Sequence, residues 1–259
     1  MEYKNYVIGR GKLYFARRDK TTGTLGGFRF LGNAPEFSIN ITADMVDHYQ
    51  STGGIKEKDL TVPLQTNRTG SFTLDDIQPE NVAFALYGQA QTLAVAAAIG
   101  LTETINGVTK GFYYPLGMSG GTGSGALNVT VTAIQNTTTN VALVAGTDYE
   151  VDQASGFIHI LPTATNVADG DNIQVTYDQN AYDRVHIPAG REPINGALRY
   201  VSDNPVGKNQ IVYAPNVNLS PDGDMQFIGD DWMQIPVSAE FLVPADGGVA
   251  LYIDNNPIA

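Results

Sequence analysis

The sequence predicts a mainly β protein with one flanking helix and a smaller β module inserted into the chain. Three observations predict it. Apolar and polar residues alternate with period two along most of the chain. One stretch near residue 80 carries helix start and stop signals. Residues 126–180 contain no Lys or Arg and are dominated by Thr, Val, Asn and Asp, unlike either flank.

Residues 12–17 form the first strand, followed by a glycine-rich turn at 23–27. Residues 28–31 continue as strand to the break at Gly32-Asn33. Residues 36–42 alternate cleanly, with Phe37, Ile39 and Ile41 on one face and Glu36, Ser38, Asn40 and Thr42 on the other. Residues 43–56 lose the pattern and contain Ser51-Thr52-Gly53-Gly54, so they read as a long mobile loop. Alternation resumes at 57–65, where Leu60, Val62 and Leu64 oppose Glu57, Asp59, Thr61 and Gln65. Residues 69–74 form another strand, with Gly70, Phe72 and Leu74 on one side.

The helix follows. Asp75 and Asp76 precede it, Pro79 and Glu80 suit its first turn, and Gly88 suits its end. Val82 with Leu86, and Ala83 with Tyr87, give apolar pairs that can cover a sheet. Residues 119–125 (Ser-Gly-Gly-Thr-Gly-Ser-Gly) read as a linker. Beyond it, alternation at 127–131, 157–161 and 173–177, with turns at Gly146, Gly156 and Asp169-Gly170, suggests a small β-sandwich. The expected division is 1–120 and 181–259 for the main domain, with 121–180 as the insertion. The last third alternates at 197–201, 210–219, 225–228 and 232–243. There Met233, Ile235, Val237, Ala239 and Phe241 oppose Trp232, Gln234, Ser238 and Glu240.

Length and composition bound the function. A chain of 259 residues is one large domain or two small ones and buries a core without staples. With no cysteine, disulfides, cysteine–zinc sites, iron–sulfur clusters and cysteine nucleophiles are excluded. The formal net charge of −12 is unevenly spread. Residues 1–68 hold ten of the fifteen Lys and Arg, whereas residues 209–259 hold none and seven acids. Such a chain does not hold nucleic acid by phosphate neutralisation. A basic part and an acidic part suit head-to-tail stacking of copies. The N-terminus is neither a secretion signal nor a transit peptide. The most apolar run, 93–101, is about half of what a membrane helix needs. A soluble protein made in a cytoplasm is expected.

The search for chemistry finds little. Gly117-Met118-Ser119-Gly120-Gly121 fits G-x-S-x-G, but a glycine linker follows where a nucleophile elbow needs a helix. No G-K-[ST] follows these glycines, so they do not form a phosphate loop. Asp148, Glu150 and Asp152 lack the later ligands of a calcium loop and are expected on one solvated strand face. His48, His159 and His186 have no neighbour at metal-ligand spacing. No catalytic, cofactor-binding or metal-binding residue is nominated, and a non-enzymatic protein is expected. The polar faces at 36–42 and 57–65 hold acids, hydroxyls and amides but no Lys or Arg, as suits a wall past which a polyanion slides without sticking.

Several segments, in order, resemble the major tail tube proteins of long-tailed bacteriophages. They are Gly11-Lys-Leu-Tyr-Phe15, Leu31-Gly-Asn-Ala-Pro-Glu-Phe37, His48-Tyr-Gln-Ser-Thr52 with Lys58-Asp59, and Gly70-Ser-Phe-Thr-Leu-Asp-Asp-Ile-Gln-Pro-Glu-Asn81 with Ala85-Leu-Tyr-Gly88. Asn204-Pro-Val-Gly207, Pro215-Asn-Val-Asn-Leu219 and Gly229-Asp-Asp-Trp-Met233 are similar to the closing strands. The resemblance covers roughly 11–118 and 184–245. It implies a tail-tube β-sandwich or barrel with one flanking helix, and the insertion is similar to immunoglobulin-like additions outside some tail proteins.

The resemblance further implies stacked hexameric rings in the virion tail, forming the conduit for genome ejection. Twenty-four strands at roughly 4.8 Å give a bore of about 37 Å or more. The implied partners are other copies of the chain, a tape-measure protein, tail terminator and distal tail proteins, and double-stranded DNA in transit without specific binding. Synthesis in the bacterial host cytoplasm and no membrane insertion are expected. Glu36, Ser38, Asn40, Thr42, Glu57, Asp59, Thr61 and Gln65 become candidates for the lumen. Asp44, Asp47, His48, Tyr49 and Lys56 become candidates for an inter-ring loop. The alternatives are a contractile-system or secretion tube protein, and a non-enzymatic surface-binding β-sandwich protein.

Overall fold

The computed structural model describes residues 6–118, 123 and 125–255. Among the described residues the protein is mainly β, with one helix, several sheets and no closed barrel. In chain order, the first elements are β1 (Gly11–Arg17), β2 (Arg29–Phe30), β3 (Glu36–Gln50), β4 (Glu57–Leu74), α1 (Pro79–Ala85), β5 (Gln91–Val95), β6 (Ala98–Val108) and β7 (Tyr113–Pro115). Next come β8 (Val129–Asn136), β9 (Val141–Ala142), β10 (Tyr149–Asp152), β11 (Phe157–Ile160), β12 (Asp171–Gln179) and β13 (Tyr182–His186). The chain ends with β14 (Ile194–Ser202), β15 (Gln210–Pro221), β16 (Ile235–Phe241) and β17 (Tyr252–Asn255). Two compact units result: unit 1 is Met1–Gln91 with Ile187–Ala259, and unit 2 is Thr92–His186.

Unit 1 is an antiparallel sheet in the order β2-β1-β14-β15-β16-β4-β3, with β17 also pairing β15. Alternation puts Phe15, Phe72, Val217, Leu219, Val237 and Phe241 on one face, where they are buried together. Each such side chain contributes about 1.5–3 kcal/mol on leaving water. The short helix α1 lays Ala83 and Phe84 on this face, and the Phe84 ring meets Phe15 edge-on at 5.5 Å. Asn81 anchors the helix start: its amide donates to the carbonyls of Leu31 (2.7 Å) and Asp76 (2.9 Å) and accepts from Arg29 (2.6 Å). Gly32 precedes this contact at φ +85°, where a side chain would strike Asp76. Gly70 leaves room for the Phe241 ring, since a Cβ there would lie 2.8 Å from it.

The helix and hairpin differ from the sequence expectation in detail. α1 starts at Pro79 with Glu80 in its first turn, as expected, but the regular helix ends at Ala85, short of Gly88, with Tyr87 at φ 50°. The expected strand at 28–31 is only β2. The expected loop at 43–56 is strand as far as Gln50, and the strands expected at 57–65 and 69–74 are one continuous β4. Both faces of this hairpin are exposed beyond Thr42, so no buried side imposes an alternating pattern. Residues 225–228 and 232–234 are irregular, and β17 is strand where none is expected.

Unit 2 has a three-stranded sheet, β10-β11-β7, and a four-stranded sheet, β6-β12-β8-β9; β5 and β13 pair as a separate ribbon. Ile158 and Ile160 from the first sheet and Ile134, Ile173 and Val175 from the second share one buried cluster. Unit 2 begins at Thr92 rather than at the expected 121, because β6 pairs β12 and β7 pairs β11. The apolar run at 93–101 is divided between β5 and β6. Asp148 is 0% exposed and ties two loops together. Its carboxylate accepts from the backbone of Val144 (2.9 Å), Thr165 (3.0 Å) and Asn166 (3.1 Å), and from the Asn166 amide (2.8 Å). Burial alone would raise its pKa, but these donors outweigh it and bring it down to about 2.

Candidate functional site: a polar sheet face and an exposed hairpin arm

The face of the unit 1 sheet opposite the core is polar. On β3 it presents Glu36, Ser38, Asn40 and Thr42; on β4, their cross-strand partners Thr73, Ser71, Thr69 and Asn67. The Ser38 and Ser71 hydroxyls are 3.0 Å apart. The ladder continues through Ser238 and Glu240 on β16, opposite Ser71 and Thr69, to Ser220 and Asn218 on β15. Asn195 on β14 donates to Asn216 (2.8 Å) and Asn218 (2.9 Å), completing a polar ribbon. Across these β3, β4, β16 and β15 positions there is no Lys or Arg. Cations begin at the β14 and β1 side, where Arg18 donates to Asn195 (3.0 Å). Sequence reasoning places Ser238 and Glu240 on a polar face. It misses Asn216, Asn218 and Ser220, whose signal is the alternation of β15 itself.

The eight lumen candidates do not share one face. Two irregularities break the register of β4, between the pairs Asp44/Gln65 and Met45/Pro63, and between His48/Leu60 and Tyr49/Lys58. Leu64 and Asp59 are the extra residues. Each bulge reverses side-chain direction on β4 relative to β3. Gln65 therefore sides with Glu36, Ser38, Asn40 and Thr42. Thr61 lies on the opposite face, where its hydroxyl donates to Asp47 (2.9 Å). Asp59 sits in the second bulge, 2.6 Å from His48 Nδ1. Glu57 is opposite Gln50 at the outer end. Pro63, beside Leu64, is the one sequence mark of the first bulge; the second, at Asp59, has none.

Four of the five inter-ring candidates lie on a strand. Asp44, Asp47, His48 and Tyr49 belong to β3; only Lys56 lies in the connecting turn. Asp47 pairs with Lys58 at 2.6 Å, and its pKa is lowered by the hydrogen bonds from Lys58 and Thr61. These contacts pin the arm internally. Its apolar residues have no such use: Ile41, Met45, Val46, Tyr49, Leu60, Val62 and Leu64 are all exposed. Val46 and Val62 are direct cross-strand partners. β3 also ends the sheet, so over 15 residues its outer edge has no strand partner among the described residues.

Other sequence nominees are dispersed. Ser119 lies outside the described residues. Asp148 is buried rather than on a solvated face, and Glu150 and Asp152 are exposed on β10. His159 stacks on Tyr113 at 4.1 Å; Tyr113 is exposed, while Tyr114 packs on the unit 2 core. No group of three or more metal-ligating side chains occurs among the described residues. No described helix is long and apolar enough to cross a membrane.

A comparison with curated proteins finds no match. A family model does match, and its span of residues 6–247 runs through both units. The chain belongs to the family described as “Protein of unknown function UCP028589”.

Proposed function

We propose that this protein is a structural subunit that assembles with copies of itself into stacked hexameric rings, forming the tail tube of a long-tailed bacteriophage. In this reading unit 1 is a tail-tube domain and unit 2 an immunoglobulin-like module on the exterior. The observation that carries the reading is the hairpin arm. A 15-residue edge strand without proline, Lys or Arg, and an outer half exposing apolar side chains on both faces, would aggregate if left free. Pairing in one defined way with further copies removes both liabilities.

The polar face adjoining the arm fits the conduit role. DNA carries about one charge per 1.7 Å, so a wall with exposed Lys or Arg would hold it. The face from β3 to β15 offers hydroxyls, amides and the carboxylates of Glu36 and Glu240.

Electron microscopy of the purified protein tests the reading: tubes or six-fold rings are expected, and dispersed monomers at all concentrations reject it. A trimmed arm sharpens the test. Asp44 and Gln65 are cross-strand partners, so replacing residues 45–64 with Asn-Gly closes a shorter hairpin with a two-residue turn. The trimmed chain is expected to fold and to form no long tubes. Normal tubes from it would remove the arm from the assembly.

A further inference from the structure

Residues 222–234 join β15 to β16 and contain no strand. They carry the most exposed large side chains of this end of the sheet: Trp232 and Ile228 are each 91% exposed and Phe227 is 73% exposed. Single surface hydrophobics are ordinary, but a tryptophan grouped with Ile and Phe has the composition of an interface anchor. Asp222, Asp224, Asp230 and Asp231 flank it, and no cation follows Lys208 in the chain. The seat for this loop should therefore be apolar within and basic at its edge.

Unit 1 has such a seat between β1 and α1. A pocket of about 250 Å³ is lined by the buried Phe15, Ala83 and Phe84, with Arg17, Arg29, Glu80 and Gln89 around them. That is below the roughly 300–1,000 Å³ of small-molecule sites and suits one large side chain. Arg17 donates to the Gly88 carbonyl (3.1 Å), and Arg29 lies 5.9 Å from the centre of the Phe84 ring. Neither is within ion-pair distance of a described carboxylate, while Glu80 and Asp76 act on Arg29 from further away. Arg18, Asp19 and Lys20 line the adjoining hollow, which shares Arg17 and Gln89; Lys20 pairs with Glu192 at 2.6 Å. Four cations thus line the pocket and its hollow, against two acids, Glu80 and Asp19.

Loop and pocket lie at the same end of the sheet but on different strands. Arg17 ends β1 and pairs with Gly196, while the loop lies between β15 and β16, toward the β3 side. Acidic loop and basic pocket are two different surfaces, so one contact repeated in one direction is heterologous, the kind that closes rings. We propose that Trp232 of one copy seats in the β1–α1 pocket of a second copy, with Asp230 and Asp231 against Arg17 and Arg29. This docking rests on the self-assembly reading above and names the contact between neighbours.

The chain offers two clean probes, one native tryptophan and no native cysteine. Trp232 emission is expected to shift to shorter wavelength as wild-type subunits assemble. Trp232→Cys combined with Gln89→Cys is expected to give a ladder of disulfide-linked copies on oxidation, which neither single variant gives. Trp232→Ala, folded by circular dichroism, is expected to raise the concentration needed for assembly about tenfold or more, as loss of an anchor does. Assembled particles with unshifted emission, no ladder and an unaffected Trp232→Ala variant overturn the docking and leave the assembly reading standing. A wild-type protein that never assembles overturns the reading, and the docking with it.

Discussion

The hairpin of β3 and β4 is one continuous ladder, yet its two halves are held by different things. At the base, Phe37 opposes Phe72, and Phe72 is buried among Phe15, Leu219 and Val237. In the outer half, Val46 opposes Val62 and both face solvent. A two-stranded ribbon alone is marginal in water. Ladder hydrogen bonds and the Asp47–Lys58 pair shape the outer half, while its exposed apolar side chains add little to the isolated chain. The base is stabilised by the fold, and the outer half, in the proposed reading, by the assembly. Asp148 in unit 2 gives the opposite case, a carboxylate turned inward with its donors in place.

The largest effect should come from the base. Phe72→Ala leaves a void beside Phe15 and Phe241 and is expected to cost about 4 kcal/mol, read from the denaturant midpoint. A cost near that of an exposed residue would erase the difference between the halves. Asp148→Ala in unit 2 comes next. It leaves the amides of Val144, Thr165 and Asn166 without an acceptor inside the unit, at about 3 kcal/mol. The same contact predicts a pH dependence. The folded pKa of about 2 lies below the ordinary 3.8. The stabilisation is therefore fully present above pH 4 and is lost as the pH falls toward 2. An acid unfolding curve of unit 2 that is the same for wild type and Asp148→Asn would contradict this.

Much of the base was legible in the sequence, and little of the arm. Phe37, Ile39, Phe72 and Leu74 alternate because one side of their strands is buried, and the Pro79-Glu80 start of α1 follows from local chemistry. Residues 43–56 give no alternation because neither side is buried, so strand and loop look alike there. The bulge at Asp59 is invisible for the same reason and that at Leu64 is marked only by Pro63, and together they undo the grouping of Thr61 with Glu57 and Gln65. The start of unit 2 at Thr92 depends on β6 finding β12, a pairing about seventy residues away in the chain that no local signal announces. Asp148 looked solvated by its spacing to Glu150 and Asp152; its burial comes from Thr165 and Asn166, residues on another loop.

A smaller effect on the monomer separates the halves more sharply. Leu60→Ser with Val62→Ser removes apolar side chains that are already in water. It is expected to change the stability of the isolated chain by no more than about 0.5 kcal/mol while abolishing tube formation. Loss of folding stability comparable to Phe72→Ala would mean that the outer half packs against its own chain. Retained tubes would mean that the arm's apolar face has no partner.

The smallest effect concerns the pin itself. Lys58→Ala removes the hydrogen bond that does most to lower the Asp47 pKa, leaving the weaker contribution of Thr61. The Asp47 carboxyl is expected to titrate closer to its ordinary range, as followed by the chemical shift of its side-chain carbon. Both partners are partly exposed, and solvent-accessible pairs add little to folding. Thermal unfolding should hardly move. The sign is fixed by the depressed pKa: the contact contributes above the ordinary carboxylate range and fades only in acid, so at neutral pH the Asp47 carboxylate is ionised and the pair is in place. A carboxyl that titrates identically in both proteins would show that Thr61 and the bulged backbone, and not Lys58, hold the Asp47 side chain across the ladder.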